Sequence, residues 1–366
     1  MNAPEMSLST DVAILGKGIS GLVLSHLLQK QGIPHLLLSR KEKERGIAWG
    51  ETLPPAAMGL LQKLGLYELF VSCANKTHGY HSIWGSNEVT TTDFFNHPPF
   101  QHGLKLNKAL LIEKLEEAIK ANIVEGQLLK ISSVNEKHLL AINKGDETIN
   151  IEANTLVDAT GRSRYLLKQL GIGIQEYDGI VAAAVHLPAQ RPDGLVHKVF
   201  TETFEAGWGI VSQLNDSVNV MTLYTDKDEP VLEALKHYKH WPAVLASTSK
   251  LKDFLTEKPL SKVVGAQANS SKAAQLASTN WLAVGDAAIA FDPLSSHGIS
   301  NALYGAGKAA EALGQPDRSQ TLEDYEKTLV TIFEQYLVHR QRLYASERRW
   351  RSEFWAINSH LPTKIA

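Results

Sequence analysis

The stretch that decides the fold is Gly16-Lys17-Gly18-Ile19-Ser20-Gly21, close to the beginning of the 366-residue chain. It follows an apolar run at 12–15 that is typical of a buried strand, and it precedes apolar residues at helical spacing over 22–31. Glycines in such a turn let the backbone approach a pyrophosphate, whose charge lies at the N-terminus of the helix. The alternative is a turn that merely packs the helix on the strand. We predict a dinucleotide site that includes Gly16, Gly18, Ser20 and Gly21.

The second predicted strand, at 35–38, completes a βαβ unit. In dinucleotide-binding units this strand ends in an acidic residue that holds the adenosine ribose. Ser39 occupies that position here, and a serine hydroxyl is a weaker acceptor than a carboxylate. Arg40 or Arg45 can contact the adenosine half instead. We therefore expect looser cofactor binding than is typical, which retention of stoichiometric cofactor through extensive dialysis would contradict.

Two further motifs come after predicted strands: Asp158-Ala159-Thr160-Gly161-Arg162-Ser163, and Gly285-Asp286-Ala287-Ala288 with its continuation from 291 to 303. The Asp286 carboxylate can accept hydrogen bonds from ribityl hydroxyls. Pro293 and Gly298 flank a tight loop before a predicted helix, whose positive N-terminal end would stabilise the anion of a reduced flavin. The alternative is a loop and helix that hold no ligand. The order of the three motifs along the chain predicts FAD as the cofactor.

The rest of the chain predicts an α/β fold in which one domain interrupts another. Helices are expected at 59–71, 109–122 and 230–256, and short strands at 127–134, 138–142 and 148–151. Polar and apolar residues alternate over 180–225, which indicates the antiparallel strands of a second sheet. We predict a discontinuous Rossmann-like FAD-binding domain (1–80, 105–175 and 265–335), an inserted antiparallel β-sheet substrate domain (81–104 and 176–264) and a helical C-terminal tail (336–366).

The composition limits the partners and the compartment. The chain carries 37 basic and 39 acidic residues, and the formal charge of −2 gives no electrostatic reason to expect nucleic acid or an acidic membrane as a partner. The single cysteine, Cys73, excludes an internal disulfide and a cysteine-cluster metal site, and we predict no metal. The first residues lack the charged and apolar regions of a signal peptide, so we expect a soluble cytoplasmic protein.

Together the three motifs resemble those of the flavoprotein monooxygenase superfamily that includes para-hydroxybenzoate hydroxylase and the tryptophan halogenases, and the resemblance covers most of the chain. It implies an oxidoreductase with an FAD domain, a β-sheet substrate domain and the isoalloxazine ring between them. It places the three glycines of the first motif at the pyrophosphate. Lys108 stands where the family usually has an arginine near the pyrophosphate, and Asp286 would hold the ribityl chain. The cofactor contacts implied around the third motif are Gly285, Asp286, Pro293, Gly298 and Ile299.

Two segments bear on halogenation. Gly50-Glu51-Thr52-Leu53-Pro54-Pro55 resembles the Gly-Glu segment of halogenases, in which a lysine further along the chain carries the oxidised halogen, and Lys76 lies near that position. Lys76 is thus a candidate catalytic residue, although a solvated surface lysine is the simpler interpretation. The Trp-x-Trp-x-Ile-Pro signature of halogenases is incomplete in Gly207-Trp208-Gly209-Ile210-Val211-Ser212, which argues against halogenation.

Three segments point to a narrower group: His81-Ser82-Ile83-Trp84-Gly85-Ser86, Tyr344-Ala345-Ser346-Glu347-Arg348-Arg349-Trp350 and Phe354-Trp355. They resemble the flavoproteins that mature cysteine tryptophylquinone enzymes such as lysine ε-oxidase, glycine oxidase and quinohemoprotein amine dehydrogenase. The resemblance implies a monooxygenase that uses FAD and O2 to hydroxylate a tryptophan of a precursor protein. Two alternatives stay open. One is a small-molecule aromatic hydroxylase or halogenase, and the other is a non-catalytic flavin-bearing chaperone of the precursor.

The catalytic helper is expected to be a histidine, because imidazole transfers protons near neutral pH. His297 lies inside a flavin motif and is favoured for this reason; the other candidates are His78, His81, His97 and His102. Trp84 is expected either to stack on the flavin or substrate or to belong to the core. The electron donor is left open between NAD(P)H and a separate reductase. A loose nucleotide fingerprint at 305–310 lies in a predicted helix with no strand before it, and we reject it.

Overall fold

The computed structural model describes residues 6–40, 47–96, 98–134, 137–145, 147–190 and 198–360. The strands in chain order are β1 (Met6–Leu15), β2 (His35–Ser39), β3 (Thr52–Leu53), β4 (Ala74–Thr77), β5 (Gly79–Ile83), β6 (Thr90–Asp93), β7 (Gly103–Leu106), β8 (Ile123–Glu125), β9 (Gln127–Val134), β10 (Lys137–Lys144), β11 (Glu147–Asp158), β12 (Ile174–Glu176), β13 (Ile180–Pro188), β14 (Val199–Phe204), β15 (Gly207–Asn215), β16 (Val218–Asp226), β17 (Val264–Gln267), β18 (Ser271–Ala273), β19 (Trp281–Ala283) and β20 (Ile289–Ala290). The α-helices are α1 (Ile19–Lys30), α2 (Ala56–Leu64), α3 (Tyr67–Val71), α4 (Lys108–Ala118), α5 (Tyr165–Gln169), α6 (Val231–Leu235), α7 (Trp241–Val244), α8 (Gly298–Leu313), α9 (Arg318–Ser346) and α10 (Glu353–Asn358).

The first motif lies at the carboxyl end of β1, an inner strand of a mainly parallel sheet. β1 pairs in parallel with β2 and β11, β2 pairs with β8, and β11 also pairs with β19. Val12, Ala13 and Ile14 are fully buried, as expected of a parallel strand that is covered on both faces. The carboxyl ends of parallel strands meet at one edge of a sheet. The turns after β1, β11 and β19, which are the three sequence motifs, therefore lie side by side.

A second sheet has the order β17-β13-β16-β15-β14-β5-β6 and is antiparallel except between β14 and β5. One face packs against α6, α7 and the 3₁₀ turn Leu251–Phe254 in an apolar cluster that buries Trp241. The other face packs against the tail, where Trp208 of β15 donates to the Tyr344 hydroxyl of α9 at 3.0 Å. β7 does not join this second sheet. It pairs with β3 and β4 in a small sheet beside the first motif.

The predicted fold class is confirmed, and three predicted element bounds are wrong. Over 59–71 the chain forms α2 and α3, because Gly65 ends α2 in the left-handed conformation at φ 67°. The strand predicted at 148–151 and the one before Asp158 are a single strand, β11. Over 230–256 the chain forms the short helices α6 and α7 and 3₁₀ turns. α9 runs through residue 336, where the tail was predicted to begin. Within the described residues, no helix has the length and apolar character that a membrane span needs.

Candidate functional site

A groove of about 780 Å³ runs along the carboxyl edge of the parallel sheet, from the turn after β2 to the start of α8. It brings together residues that the sequence predicted from separate motifs. The predicted residues that line it are Gly16, Gly18, Ser20, Ser39, Arg40, Lys108, Asp286, Gly298 and Ile299. Gly21 and Gly285 lie directly behind this lining, and Pro293 begins the 3₁₀ turn Pro293–Ser295 before α8. Arg45 lies outside the described residues.

Each glycine of the first motif has its own structural role. Gly16 has φ +113°, and a Cβ there would lie 2.4 Å from the Ala159 carbonyl oxygen, so β1 and β11 leave no room for a side chain. A Cβ on Gly21 would lie 2.1 Å from the Gly16 carbonyl oxygen, so α1 packs directly on the turn. A Cβ on Gly18 would meet no atom closer than 3.9 Å and would enter the groove, where no side chain caps α1. The backbone here leaves room for a ligand and fits a pyrophosphate.

The second motif shapes the groove through a buried carboxylate. One oxygen of Asp158 accepts hydrogen bonds from the Thr160 amide at 2.9 Å and from the Thr160 hydroxyl at 2.6 Å. The other oxygen accepts from the Leu167 amide at 3.0 Å. Asp158 is fully buried and does not line the groove. Its role is therefore to form the turn and to hold the start of α5.

Two arginines near the second motif hold the third motif in place. Arg164 is buried and donates to the Ala287 carbonyl at 3.0 Å. Arg162 donates to the Phe291 carbonyl at 3.0 Å, and its Nε lies 3.5 Å from Oδ2 of Asp286. These contacts fix the turn after β19 relative to the turn after β11. The Asp286 carboxylate is thereby held at the groove.

The middle of the groove carries an ion pair that the sequence did not predict. Lys108 Nζ lies 2.8 Å from Glu51 Oε1, and both residues line the groove. Glu51 follows Gly50, which has φ +74°, and a Cβ on Gly50 would lie 2.8 Å from Cβ of Ser212 in β15. The Ser212 hydroxyl donates to the Gly50 carbonyl at 3.2 Å. The second sheet thus holds the Gly50-Glu51 segment against the groove. The Gly-Glu pair was the feature of the sequence that drew attention to this segment.

A second cavity, of about 950 Å³, adjoins the groove and shares Glu51 and Lys108 with it. Lys105 in β7 lines this cavity and is 8% exposed. Side chains alternate along a strand, so Lys105 points away from the face on which Leu104 and Leu106 join the apolar core. Burial lowers the pKa of Lys105 from the usual 10.5 to about 8. No pattern in the sequence indicates that this lysine is buried.

We expect Lys105→Met to stabilise the protein at neutral pH. The folded-state pKa of Lys105, about 8, lies below the unfolded value of 10.5, so the unfolded chain holds this proton more tightly. The penalty for burying the charge is complete below about pH 8 and disappears as the pH rises toward 10.5. Methionine removes the charge, and the gain at pH 7 is on the order of 3 kcal/mol. Urea unfolding of both proteins at pH 7 and pH 10 measures it; a difference that is the same at both pH values would contradict the assignment.

A third cavity, of about 1160 Å³, lies at the start of α8, and its wall is rich in aromatic rings and prolines. The apolar lining consists mainly of Tyr80, Phe94, Phe100, Leu343, Pro54, Pro55, Pro98 and Pro99. His297 and His339 also line it, and His297 directly precedes Gly298, which lines the groove. The cavity and the groove therefore meet at adjoining residues. Partial burial and the nearby His339 lower the pKa of His297, so its imidazole is neutral at physiological pH.

Comparison with known families supports FAD as the cofactor. A family model for the FAD binding domain matches residues 9–337. The chain belongs to this family. Over 95% of this chain and 96% of the relative, it is 26% identical to the FAD-dependent oxidoreductase LodB of Marinomonas mediterranea. The protein is accordingly an FAD-dependent oxidoreductase, and the predicted cofactor is confirmed.

Solved structures of the same fold include halogenases and a tryptophan-modifying enzyme. CmlS, a flavin-dependent halogenase, is 24% identical with a TM-score of 0.83, over 97% of this chain and 68% of CmlS. QhpG, a peptidyl tryptophan dihydroxylase essential for tryptophylquinone cofactor biogenesis, is 20% identical with a TM-score of 0.76, over 98% of this chain and 80% of QhpG. At these identities the likeness establishes the fold. The fold that the resemblance to the monooxygenase and halogenase superfamily implies is confirmed.

Among the other candidate histidines that the structure describes, none lines the third cavity. His81 is buried, and its Nδ1 lies 2.9 Å from a threonine hydroxyl of β6. His78 stacks on Phe95 with 5.2 Å between the ring centroids. His102 is half-buried, and His97 lies outside the described residues. Of the predicted histidines within the described residues, the structure brings His297 to the junction between the third cavity and the groove.

Lys76 and Trp84 are placed away from the groove. Lys76 is exposed on β4 and lines neither the groove nor the two cavities, which favours the surface interpretation. The Trp84 ring lies 5.4 Å from that of Trp355 and 6.1 Å from that of Tyr344, and its N–H donates to the Leu343 carbonyl at 3.0 Å. Trp84 is therefore a core residue that ties the second sheet to the tail. The rejected fingerprint at 305–310 lies inside α8.

A buried polar network behind the loop before α8 was not predicted. Arg340 of α9 is 2% exposed, and its Nε lies 3.2 Å from Oδ2 of Asp178 and 3.2 Å from Oδ2 of Asp292. The Tyr344 hydroxyl donates to the same Asp292 oxygen at 2.6 Å, and the Asp292 amide donates to the Tyr336 hydroxyl at 2.7 Å. Asp292 directly precedes the turn that leads to α8. The tail helix therefore fixes the loop at the FAD groove.

Proposed function

We propose that this FAD-dependent oxidoreductase hydroxylates a tryptophan of a precursor protein during cysteine tryptophylquinone biogenesis. The observation that carries the proposal is the third cavity, because its aromatic and proline wall meets the FAD groove at His297 and Gly298. An indole ring packs favourably against such a wall. QhpG, a peptidyl tryptophan dihydroxylase of the same fold, supports this choice of substrate. The place of the reaction in the cytoplasm stays a prediction.

In this proposal the first motif holds the FAD pyrophosphate. Gly18 and the N-terminus of α1 would present backbone N–H groups to it, with Ser20 beside them and Gly21 behind. The Gly16 N–H donates to the Leu38 carbonyl at 2.9 Å, so Gly16 forms the turn and leaves space for the ligand. Ser39 and Arg40 lie at the adenosine end. Cζ of Arg40 is 5.2 Å from the centroid of the Tyr165 ring, so this ring holds the guanidinium beside the groove.

The other end of the groove would hold the flavin ring. Asp286 is placed to accept hydrogen bonds from the ribityl chain, and Lys108 lies between it and the first motif. Gly298 and Ile299 begin α8, whose N-terminus has no side-chain cap, so its positive end would stabilise negative charge on the ring. Pro293 and Gly285 support these residues from the turns behind them. When bound and reduced by an external electron donor, the flavin would supply the two electrons that activate O2, so that one oxygen atom is transferred to the substrate ring and the other leaves as water.

We expect Ser39→Glu to tighten FAD binding by about tenfold, because a carboxylate accepts a ribose hydroxyl more strongly than serine does. The Ser39 hydroxyl donates to the Arg40 carbonyl at 3.0 Å, so it contributes little to a ligand. Ser39→Ala, the matched control, should therefore change the Kd by less than about threefold. Titration of the apoprotein with FAD, followed by flavin fluorescence, gives both constants. A glutamate that weakens binding would show that the ribose lies elsewhere.

His297 is proposed as the base of the reaction. Its neutral imidazole can accept the proton that leaves the hydroxylated ring carbon, and the cavity wall orients the indole and excludes water. We expect His297→Ala to lower precursor conversion by at least about 100-fold with FAD binding intact. His240→Ala, at an exposed position, is the control. Unchanged conversion by the His297 variant would remove the catalytic assignment.

The decisive experiment is co-expression with a tryptophylquinone enzyme precursor, followed by mass spectrometry of its tryptophan peptides. A mass gain of oxygen that needs this protein supports the proposal. A halogen on the same peptides, or oxygen found on a free aromatic compound alone, supports a halogenase or a small-molecule hydroxylase. A stable complex with an unmodified precursor supports a non-catalytic chaperone. The exposed position of Lys76 and the burial of Trp208 in the core weigh against halogenation.

A further inference from the structure

The wall of the third cavity contains a buried polar atom to which the proposed hydroxylation gives no role. Within the described part of the chain, the Tyr80 hydroxyl is buried and forms no hydrogen bond, and Tyr80 lines the cavity. The other polar residues of the described lining are exposed to water: Thr92, Asn96, His297 and His339. A buried hydroxyl without a partner is unfavourable, and native proteins keep few such groups. A ligand in the cavity would supply that partner.

The Tyr80 ring is held on one face of the second sheet. Side chains alternate along β5, and Ile83 packs in the apolar cluster around Trp241, so Tyr80 lies on the opposite face of the sheet. Phe94, which also lines the cavity, meets the ring edge to face, with 5.2 Å between the centroids and 85° between the planes. The packing with Phe94 therefore gives the Tyr80 ring a defined orientation in the wall.

The polar neighbour of the Tyr80 hydroxyl is Ser296, in the loop before α8. Burial raises the pKa of Tyr80, and the Ser296 side chain opposes this rise. The contact between the two side chains does not reach hydrogen-bond geometry. Ser296 directly precedes His297, so the Tyr80 hydroxyl lies at the end of the cavity that adjoins the FAD groove. Rotation of the half-buried Ser296 side chain is the small movement that would expose the hydroxyl to a ring in the cavity.

We propose that the Tyr80 hydroxyl accepts a hydrogen bond from the ring N–H of the target indole and so selects tryptophan over other aromatic side chains. The inference rests on the proposed function, because it names the group of the substrate that this cavity recognises. The N–H is the one polar group of an indole, and it only donates, whereas a hydroxyl oxygen accepts. The aromatic rings and prolines of the wall would bind the rest of the indole. A site that binds a substrate N–H discriminates against analogues without it, because its own buried polar group is then left unpaired.

The test compares indole with benzofuran, which has the same shape and an oxygen in place of the N–H. Calorimetric titration of the FAD-loaded protein gives both Kd values without turnover. We expect the unaltered protein to bind indole at least about fivefold more tightly than benzofuran, as one neutral hydrogen bond allows. Tyr80→Phe should remove this preference by weakening indole, with the Kd of benzofuran changed by less than about twofold. Tyr304→Phe, at a half-buried tyrosine that lines neither the groove nor the two cavities, is the matched control and should keep the preference.

Thermal unfolding of the apoprotein separates recognition of the indole from a structural role. Because the Tyr80 hydroxyl has no hydrogen-bond partner among the described residues, Tyr80→Phe should leave the Tm unchanged or raise it. A lower Tm would show that the hydroxyl stabilises the wall and would overturn the proposal. Ser296→Ala should keep the preference for indole. Loss of the preference in that variant, with the preference retained by Tyr80→Phe, would assign the acceptor to Ser296 instead.

The precursor assay distinguishes this inference from the proposed function. Equal affinity of the unaltered protein for indole and benzofuran, or no binding of indole, would overturn the inference even where the precursor is hydroxylated. A preference for indole that Tyr80→Phe removes supports the inference even where the precursor stays unmodified, and the proposed function then falls alone. Where the precursor is hydroxylated, Tyr80→Phe should raise its KM by about fivefold and change kcat by less than about twofold, as expected when a binding contact is lost.

Discussion

Gly21→Ala will bind FAD at least about 100-fold more weakly than the unaltered protein and will be about 3 kcal/mol less stable. The added Cβ would lie 2.1 Å from the Gly16 carbonyl oxygen and 3.1 Å from Cβ of Ala159. Gly16 cannot move away, because the contacted atom belongs to its backbone, which is held between β1 and β11. The helix α1 must therefore move away from the turn, and its N-terminus loses the pyrophosphate. The absorbance of bound flavin and urea unfolding of the apoprotein measure the two effects.

Gly18→Ala is the matched control for that prediction. Its Cβ would meet no atom closer than 3.9 Å, so the stability of the apoprotein should stay within about 1 kcal/mol. The same methyl group enters the groove where we place the pyrophosphate, so FAD affinity should still fall. Equal destabilisation by both variants, or normal FAD binding by Gly21→Ala, would show that the two glycines do not have these separate roles.

Arg340→Met will destabilise the protein by about 3–5 kcal/mol, because it leaves Asp178 and Asp292 buried without their shared cation. Burial already raises the pKa of Asp292, and Arg340 opposes this rise most strongly, ahead of the hydrogen bonds from Tyr344 and Leu294. Without Arg340, protonation or movement of Asp292 should loosen the turn that leads to α8. We therefore expect weaker FAD binding and a shifted flavin absorbance spectrum as well as a lower Tm.

Two further variants make this prediction specific. Arg342→Met changes an exposed arginine on the same helix and should leave the Tm within about 1 °C and the flavin spectrum unchanged. Arg340→Met combined with Asp292→Asn removes one of the two stranded charges and should recover part of the lost stability. A double variant that is less stable than the single one would mean that Asp292 does not depend on Arg340.

Much of the cofactor site was predictable because its rules are local. A glycine turn between a strand and a helix specifies both the backbone conformation and the ligand that the helix N-terminus prefers. The residues Gly16, Gly18, Asp286 and Gly298 were found in this way and do line one groove. Asp158 belonged to a recognised motif, but its contacts with Thr160 and Leu167 show that it shapes the turn. The motifs indicated which residues lie along one groove, but not the role of each side chain there.

Spacing along the chain was a poor guide to the small sheet of β3, β7 and β4. Lys76 was chosen by its distance from Glu51, yet it is exposed, whereas Lys105 is buried at a cavity. β4 and β7 pair antiparallel, and the face that each lysine takes depends on the register of that pairing. Composition and periodicity do not specify the register of this pairing. They could therefore not indicate which of the two lysines is buried and which is exposed.

The sequence alone determined three features: the glycine turn after β1, the FAD cofactor, and the end of the parallel strands at which the three motifs meet. These follow from backbone conformation and from the direction of parallel strands, which neighbouring residues specify. The tertiary structure decided the rest: the Lys108–Glu51 pair, the burial of Lys105 and the anchoring of Asp292 by Arg340. Each depends on packing and charge pairing between segments far apart in the chain, and no local pattern records which of them will meet.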